Sequence, residues 1–287
     1  MTEHSNEYTR RRKSRKKGIS KVGWAYVVMG IAAIALYVLG FNACELKGET
    51  RARHPIIPVS ELLRVEIPEG TAEVLKDYTG FSVSFNPRHR VPNYVVWELT
   101  REEAQGQVRR SNDFHPDPDV EGCPDLSDYR GSGFDRGHMA PAGEMKWDER
   151  AMYDSHALTN MCPQDRVING GRWRSIENLE QSWVMRDSSL VIITGPILTD
   201  SITRTIGNGV SVPERFFRII CAPYAEPPRA IGFIVPNSET PRGVFDMAVS
   251  VDEVESAAGF DFFSALPDDI EDVMESDSKI NIWRYLR

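Results

Sequence analysis

Residues 131–138 read GSGFDRGH, and residues 159–177 read TNMCPQDRVINGGRWRSIE. In the first stretch, two glycines precede a strand-like segment that carries an acid, Asp135, and an imidazole, His138, three residues apart. In the second stretch, a proline interrupts the chain before the best helical pattern of the sequence, over residues 169–185. We therefore expect the functional residues of an α+β domain to lie on an extended segment and a helix.

The spacing within these stretches indicates a hydrolytic metal site. Asn169 and Glu177 are eight residues apart, which at about 3.6 residues per turn places them two turns apart on neighbouring parts of one helix face. A neutral oxygen donor and a carboxylate suit a hard, hydrated cation such as Mg²⁺ better than zinc, which prefers histidine and cysteine. His138 can take up a proton near neutral pH, since an unperturbed imidazole has a pKa of ~6.5. Together with an arginine for phosphate, these are the parts of a metal-assisted phosphodiester hydrolase.

The surrounding sequence predicts the rest of the fold. Residues 81–85 and 94–99 are separated by a turn and predict a β-hairpin. Residues 111–133 are rich in Asp, Pro, Gly and Ser and predict a long irregular loop, while residues 268–277 predict an acidic, solvated tail. Short apolar runs rich in Ile, Val and Phe predict buried strands at residues 190–197, 216–222 and 230–235.

These motifs resemble the DNA/RNA non-specific endonuclease family, the ββα-metal group to which endonuclease G belongs. The resemblance is carried by Arg110-(x)₃-Phe114, by GSGFDRGHMAP at residues 131–141 and by TNMCPQ-(x)₄-N-(x)₃-W-(x)₃-E at residues 159–177. It extends from about Tyr78 to Leu266. It implies an α+β fold of the ββα-metal, or His-Me finger, type with a central, mainly antiparallel sheet.

The resemblance assigns catalytic roles residue by residue. It makes His138 the general base that activates water and Asn169 the direct protein ligand of a hydrated Mg²⁺ ion, with Mn²⁺ as the alternative ion. It implies that Glu177 holds the water molecules around the metal, that Arg110 faces the scissile phosphate, and that Asp135 orients His138 and the metal-binding helix. Because His138 must be neutral to accept a proton, we expect activity to fall below roughly pH 6.5 unless its surroundings shift its pKa.

Three further residues, Arg136, Arg174 and Asn160, make up the expected substrate-binding set. The resemblance implies that Arg136 contacts phosphate or serves packing, and that Asn160 orients the neighbouring catalytic groups or locks the turn at the following proline. The family usually has another arginine one turn beyond the glutamate, where this chain has Gln181. Arg174 and Arg186 are the candidates to replace it, so the resemblance sets the reaction type but not its rate or substrate breadth.

Some residues near the motifs are expected to be structural. The spacing of Trp173 matches that of the apolar helix face, which predicts a place in the core. His115 and His156 have no partner pattern and are expected on the surface. Cys123 and Cys162 could pair in an exported domain, and buried thiols are an equal alternative.

A basic segment and an uncharged apolar segment precede the domain. Residues 1–21 carry eight Lys/Arg against two Glu, and residues 22–43 contain no Asp, Glu, Lys or Arg. At ~1.5 Å per residue, a helix of this length crosses the roughly 30 Å core of a bilayer, which predicts one transmembrane helix at 22–43. The positive-inside rule leaves the N-terminus in the cytoplasm and exports the chain after Cys44.

Other interpretations of this region stay open. A cleaved signal peptide usually has a shorter apolar core, Phe41–Cys44 weakly resembles a lipoprotein cleavage site, and the basic run could bind nucleic acid directly. With a spanning helix, residues 44–75 form a linker and residues 76–287 form the nuclease domain. A nonspecific nuclease in the cytoplasm would attack its own genome, so we expect the domain in a bacterial periplasm or envelope, with a mitochondrial intermembrane space as the alternative.

The overall charge limits how a substrate is held. The chain carries a formal charge of −8 and residues 1–21 contribute +6, which leaves −14 for the remainder. This balance argues against holding nucleic acid by bulk electrostatics, so binding of DNA or RNA would depend on the metal and a few arginines.

Two functions stay open: a membrane-anchored, Mg²⁺-dependent endonuclease, which is favoured, and a catalytically weak relative that binds nucleic acid or a partner protein. Because family members are often dimers, the resemblance also implies a homodimer.

Overall fold

Thirteen β-strands and eight α-helices are formed by the part of the chain that the structure describes. The structure is a computed structural model, and it describes residues 58–199, 202, 204–278 and 280–285. The strands are β1 (Val65–Glu66), β2 (Val74–Asp77), β3 (Ser82–Asn86), β4 (Val91–Thr100), β5 (Asp135–His138), β6 (Met161–Gln164), β7 (Ser189–Pro196), β8 (Thr205–Ile206), β9 (Val210–Ser211), β10 (Arg215–Ala222), β11 (Arg229–Pro236), β12 (Ala248–Val249) and β13 (Asp261–Phe262). The helices are α1 (Val59–Leu62), α2 (Leu126–Tyr129), α3 (Glu149–Asp154), α4 (Arg166–Ile168), α5 (Arg174–Asp187), α6 (Val251–Ala258), α7 (Asp268–Glu275) and α8 (Ile280–Tyr285).

One seven-stranded antiparallel sheet organises the domain, in the order β12-β11-β10-β7-β4-β3-β2. Successive side chains of a strand point to opposite faces. Val95 and Trp97 of β4 therefore pack into a cluster on one face, which we call the first face, whereas Tyr94 and Val96 pack into a cluster on the second face. Because both faces are covered, even the central strand β7 is buried along its whole length.

Different elements cover the two faces. On the first face, Met139 and Met161 from the β5–β6 region and Trp173 and Ile176 from the helical region join the cluster. On the second face, the cluster contains apolar side chains of α1, α6 and α7, namely Leu62, Val251, Val254 and Met274. The functional motifs thus lie on the first face of the sheet, and the C-terminal helices α6 and α7 lie on the second.

The main sequence predictions of secondary structure are confirmed. The hairpin predicted at 81–85 and 94–99 is β3 paired with β4, with an irregularity between Ser84 and Phe85. The three predicted apolar strands are β7, β10 and β11, which pair antiparallel in the order β7-β10-β11. The structure therefore has the predicted α+β architecture with an antiparallel central sheet.

Two predicted irregular regions are instead folded. Within the predicted linker 44–75, α1 begins at Val59, β1 pairs with β13, and β2 forms an edge of the main sheet. The domain therefore starts well before residue 76. The predicted solvated tail contains α7, which buries Met274 and Glu275, because its few apolar residues recur at helical spacing and pack on the second face.

Of the structural expectations for single residues, some are confirmed and one is wrong. Trp173 is 1% exposed, which confirms its place in the core. His156 is fully buried, so its expected surface position is wrong. Cys123 and Cys162 are free thiols, so the alternative of a disulfide between them is not formed.

The predicted basic segment 1–21 and transmembrane helix 22–43 lie outside the described residues. Within the ranges that are described, no helix has both the length and the apolar character that crossing a membrane requires.

Candidate active site

A cavity of about 1280 Å³ is lined by residues of β5, of the loops around it, and of the helical region that begins at Asn169. Three acidic residues line it, namely Asp135, Glu144 and Glu177. Six basic residues also line it, namely Arg110, Arg130, Arg136, Lys146, Arg166 and Arg174. The cavity thus concentrates positive charge in a protein whose overall charge is negative, which suits an anionic ligand.

Two paired strands followed by a helix form the frame of the cavity. β5 and β6 are antiparallel, with Asp135 opposite Gln164 and His138 opposite Met161. A Cβ atom at Gly137 would overlap the buried side chain of Gln164, so the close pairing of the strands requires glycine in this motif. A π-helical turn, residues 169–173, then leads directly into α5.

His138 is held in the wall of the cavity with its imidazole largely desolvated. The side chain packs against the rings of Phe114 and His156, at centroid distances of 5.4 and 5.1 Å. The residue is 8% exposed, and its Nε2 atom is buried without a hydrogen-bond partner among the described residues. Burial, followed by the positive charges of Arg110, His156 and Arg136, lowers the pKa of His138 well below its usual value. The imidazole is therefore neutral near pH 7, the form that accepts a proton.

Asn169 is oriented by the acid of the same motif. Its Nδ2 donates a hydrogen bond to Asp135 Oδ2 at 3.0 Å, and Asp135 Oδ1 accepts one from Arg166 Nε at 3.2 Å. Because the amide nitrogen faces Asp135, the amide oxygen of Asn169 points away from that carboxylate and remains for a ligand in the cavity. The contact supports the expected orienting role of Asp135 toward the metal-binding helix.

Glu177 completes the oxygen-donor set. It follows Asn169 on the same helical region and lines the same cavity. Burial raises the pKa of Glu177 to about 7, against the opposing charge of Arg218 and with a further increase from Glu180. Carboxylate and amide oxygens without sulfur or imidazole ligands suit a hard cation such as Mg²⁺. A carboxylate that is costly to charge without a cation nearby also fits such a site.

A buried arginine lies behind the cavity. Arg218 and Glu180 are both 0% exposed, and their two hydrogen bonds measure 2.6 and 2.7 Å. Arg218 Nη1 also donates to the carbonyl of Met139, the residue after His138, at 3.1 Å. The guanidinium lies 5.2 Å from the ring centroids of both Trp97 and Trp173. One cation therefore joins strand β10, helix α5 and the end of β5.

Glu144 is an acidic residue of the cavity that the sequence analysis did not predict. Its Oε2 accepts a hydrogen bond from Trp97 Nε1 at 2.9 Å, and its Oε1 is buried with no partner in the described part of the chain. Burial, together with the charge of Glu180, raises the pKa of Glu144 well above its usual value, and Arg218 opposes the shift. A lone arginine within the apolar run of β10 was the sequence signal for this network, since a buried charge must find a partner.

The predicted arginines reach the cavity from different elements. Arg110 is exposed, and its Nε donates to Asn112 Oδ1 at 2.8 Å. Arg136 stacks on the ring of Phe114, with 4.1 Å from its guanidinium carbon to the ring centroid. Arg174 is exposed at the start of α5. All three arginines line the cavity, so they are placed to meet an anion there.

Two expectations change with the structure. Asn160 is 0% exposed, and its side chain makes three hydrogen bonds to the backbone of Ala140 and Ser155. Its expected place in the substrate-binding set is therefore wrong, whereas these bonds fit the expected orienting or locking role, because its polar atoms hold the segment after β5. Gln181 does line the cavity, with its Nε2 buried and unpaired among the described residues. Of the two candidate replacements for an arginine there, Arg174 lines the cavity and Arg186 pairs with Asp187.

Comparisons with known proteins agree with this site. The profile of a family described as DNA/RNA non-specific endonuclease matches residues 58–269. The mitochondrial nuclease EXOG of Danio rerio is 31% identical over 261 residues, which cover 83% of this chain and 72% of the relative. Nuclease C1 of Cunninghamella echinulata is 33% identical over 215 residues, which cover 69% of this chain and 85% of the relative.

A solved structure is also similar. The crystal structure of an EndoG/EndoGI complex, which concerns the mechanism of EndoG inhibition, aligns with a TM-score of 0.62 and 27% identity. The alignment covers 67% of this chain and 86% of the other. The family match at residues 58–269 includes β5, β6 and α5, the elements that frame the cavity.

Proposed function

We propose a mechanism on the premise that this chain belongs to the DNA/RNA non-specific endonuclease family and is a nuclease that hydrolyses phosphodiester bonds. In this proposal the enzyme cuts DNA, RNA or both with little sequence preference, requires Mg²⁺ or Mn²⁺, and uses His138 to activate water. The observation that carries the proposal is the convergence of His138, Asn169 and Glu177 on one positively charged cavity.

The metal would be held by Asn169, with Glu177 positioned to hold the water molecules around it. The orientation of the Asn169 amide by Asp135 and the all-oxygen donor set are the observations that favour a hard cation. When bound, the cation supplies Lewis-acid stabilisation of negative charge on the phosphate and the leaving oxygen.

The residues of the chain provide the remaining steps. The neutral imidazole of His138 accepts a proton from water as the water oxygen bonds to phosphorus. The bond from phosphorus to the 3′ oxygen breaks, the 3′ oxygen takes up a proton from solvent and becomes a hydroxyl, and the phosphate stays on the 5′ oxygen. Arg110 and Arg136 stabilise the charge that develops on the phosphate oxygens, because a guanidinium pairs well with phosphate.

Membrane anchoring and export belong to the same proposal. The uncharged segment 22–43 and the basic segment 1–21 support a single-pass anchor with the nuclease domain exported. The mitochondrial names of relatives such as the Danio rerio nuclease favour the mitochondrial alternative over the bacterial envelope. A homodimer remains a proposal from family resemblance.

Incubation of the purified full chain with nucleic acid tests the activity. With Mg²⁺ we expect loss of supercoiled plasmid, single-stranded DNA and RNA, and with excess EDTA we expect none. The second function, binding without turnover, is favoured by Gln181, which leaves the cavity one arginine short of the family pattern. A gel-shifted but intact substrate in Mg²⁺ would support that second function and contradict the first.

We expect the pH dependence of cleavage to follow the protonation of Glu177. Because the pKa of His138 is lowered, the loss of activity expected below pH 6.5 does not arise from that group. The pKa of Glu177 is raised to about 7 in the chain without metal, so its charged form is lost as the pH falls through that value. Bound cation favours the charged carboxylate, and we expect higher Mg²⁺ to move the acid limb of the pH–rate profile to lower pH. Profiles at two Mg²⁺ concentrations measure this shift.

Glu177→Gln is the matching variant, since the amide cannot titrate. It should be slower than the native enzyme and should lose the Mg²⁺-dependent movement of the acid limb. An acid limb that stays at one pH at all Mg²⁺ concentrations in the native enzyme would contradict the role of Glu177.

A further inference from the structure

Three carboxylates meet on the second face of the sheet, away from the catalytic cavity. Asp252 and Glu255 are three residues apart on α6, and Glu275 is the last residue of α7. Oxygen atoms of the three side chains lie within 4.8 Å of one another. The apolar residues of both helices pack into the second-face cluster, whereas the residues around His138 belong to the first. The group is therefore separate from the hydrolytic site.

The charges of this group are not balanced within the described residues. No described Lys, Arg or His forms an ion pair with any of the three carboxylates. Glu275 is only 6% exposed, and its Oε1 is buried without a hydrogen-bond partner in the described ranges. Glu255 has one oxygen engaged by the backbone N–H of Phe262 at 2.8 Å. A buried carboxylate oxygen without a partner is costly, and a carboxylate this close to two other acids gains from a compensating cation.

The end of α7 adds to the imbalance. The C-terminus of a helix carries a partial negative charge, which favours a cation and disfavours an anion such as Glu275. The last turn of α7 contains no basic residue. A cation bound at this position would therefore stabilise the carboxylate of Glu275.

We infer that Asp252, Glu255 and Glu275 form a binding site for Ca²⁺ that links α6 to α7. Three carboxylates supply hard oxygen ligands, and the exposed side of Asp252 leaves room for water to complete the coordination. Ca²⁺ accepts six to eight ligands in flexible geometry at ~2.3–2.6 Å, whereas Mg²⁺ demands a near-ideal octahedron at ~2.0–2.1 Å. Ligands fixed on two helices suit the more tolerant ion, and the site would stabilise the C-terminal part of the domain.

Thermal unfolding of the purified full chain with added CaCl₂ tests the inference. At Ca²⁺ concentrations about 100-fold above Kd, we expect the midpoint to rise by roughly 5–10 °C. Glu275→Gln should lose this rise. Asp252→Asn, at an exposed position that should not impair folding, should weaken it. Asp272→Asn removes an exposed carboxylate from α7, the helix that carries Glu275. It serves as the matched control and should retain the rise.

Further arms separate this site from the catalytic one. Asn169→Ala should retain the Ca²⁺-dependent rise, while Glu275→Gln should retain Mg²⁺-dependent plasmid cleavage. The inference is overturned if the native chain shows no rise, if Glu275→Gln and Asp252→Asn both match the native chain, or if Asn169→Ala abolishes the rise. An equal rise with Mg²⁺ at the same concentration overturns the assignment of Ca²⁺.

Discussion

Replacement of His138 by alanine is expected to lower the rate of plasmid cleavage by ~10²–10⁴, the contribution of a positioned general base. The imidazole lines the cavity, and its buried Nε2 has no hydrogen-bond partner among the described residues. Its lowered pKa keeps it ready to accept a proton across the neutral range. The measurement is the initial rate of loss of supercoiled plasmid at saturating Mg²⁺.

His115→Ala is the matched control for this prediction. His115 stacks on Tyr153 at a centroid distance of 4.0 Å, and it is not among the residues that line the cavity. We expect this variant to cleave plasmid at close to the native rate. If the variant at His138 were equally active, proton transfer to that imidazole would have no part in the reaction.

Replacement of Arg218 by methionine is expected to lower the free energy of unfolding by ~3–5 kcal/mol, the usual cost of removing one partner from a buried ion pair. Arg218 is fully buried, donates two hydrogen bonds to Glu180, and is also the main positive charge acting on Glu177. Without it, the carboxylates of Glu144, Glu177 and Glu180 lose the cation they share. Urea denaturation of the full chain measures the change.

Arg215→Met is the matched control, because Arg215 is exposed at the start of the same strand, β10. This variant should change the free energy of unfolding by less than about 0.5 kcal/mol. The pH–rate profile of Arg218→Met should also have its acid limb at higher pH than that of the native enzyme. Loss of the positive charge of Arg218 raises the pKa of Glu177. Equal stability of the two variants would contradict the structural role of Arg218.

Local sequence patterns were sufficient for much of the fold and the site. Strands β3, β4, β7, β10 and β11 follow from alternating or continuous apolar residues, because a strand of a covered sheet must bury its side chains. His138, Asn169 and Glu177 were found from their residue types and spacing, which bring the last two to one helical region. The structure then places all three on one cavity.

Long-range contacts were beyond these patterns. Arg218 lies 38 residues from Glu180 in the sequence, and no local pattern around either residue indicates that the two pair. The burial of His156 depends on packing against Phe114 and His138, which come from separate elements. The acidic composition of 268–277 hid the amphipathic helix α7, because its apolar residues are few.

A double-mutant experiment on plasmid cleavage tests the central claim, that His138 and the metal bound by Asn169 act on the same phosphate. The rates of native enzyme, His138→Ala, Asn169→Ala and the double variant are compared at saturating Mg²⁺. Residues that act as one unit have strongly non-additive effects, so the double variant should be no more than severalfold slower than the slower single variant. Losses that multiply would show that the two residues act independently and would contradict the account.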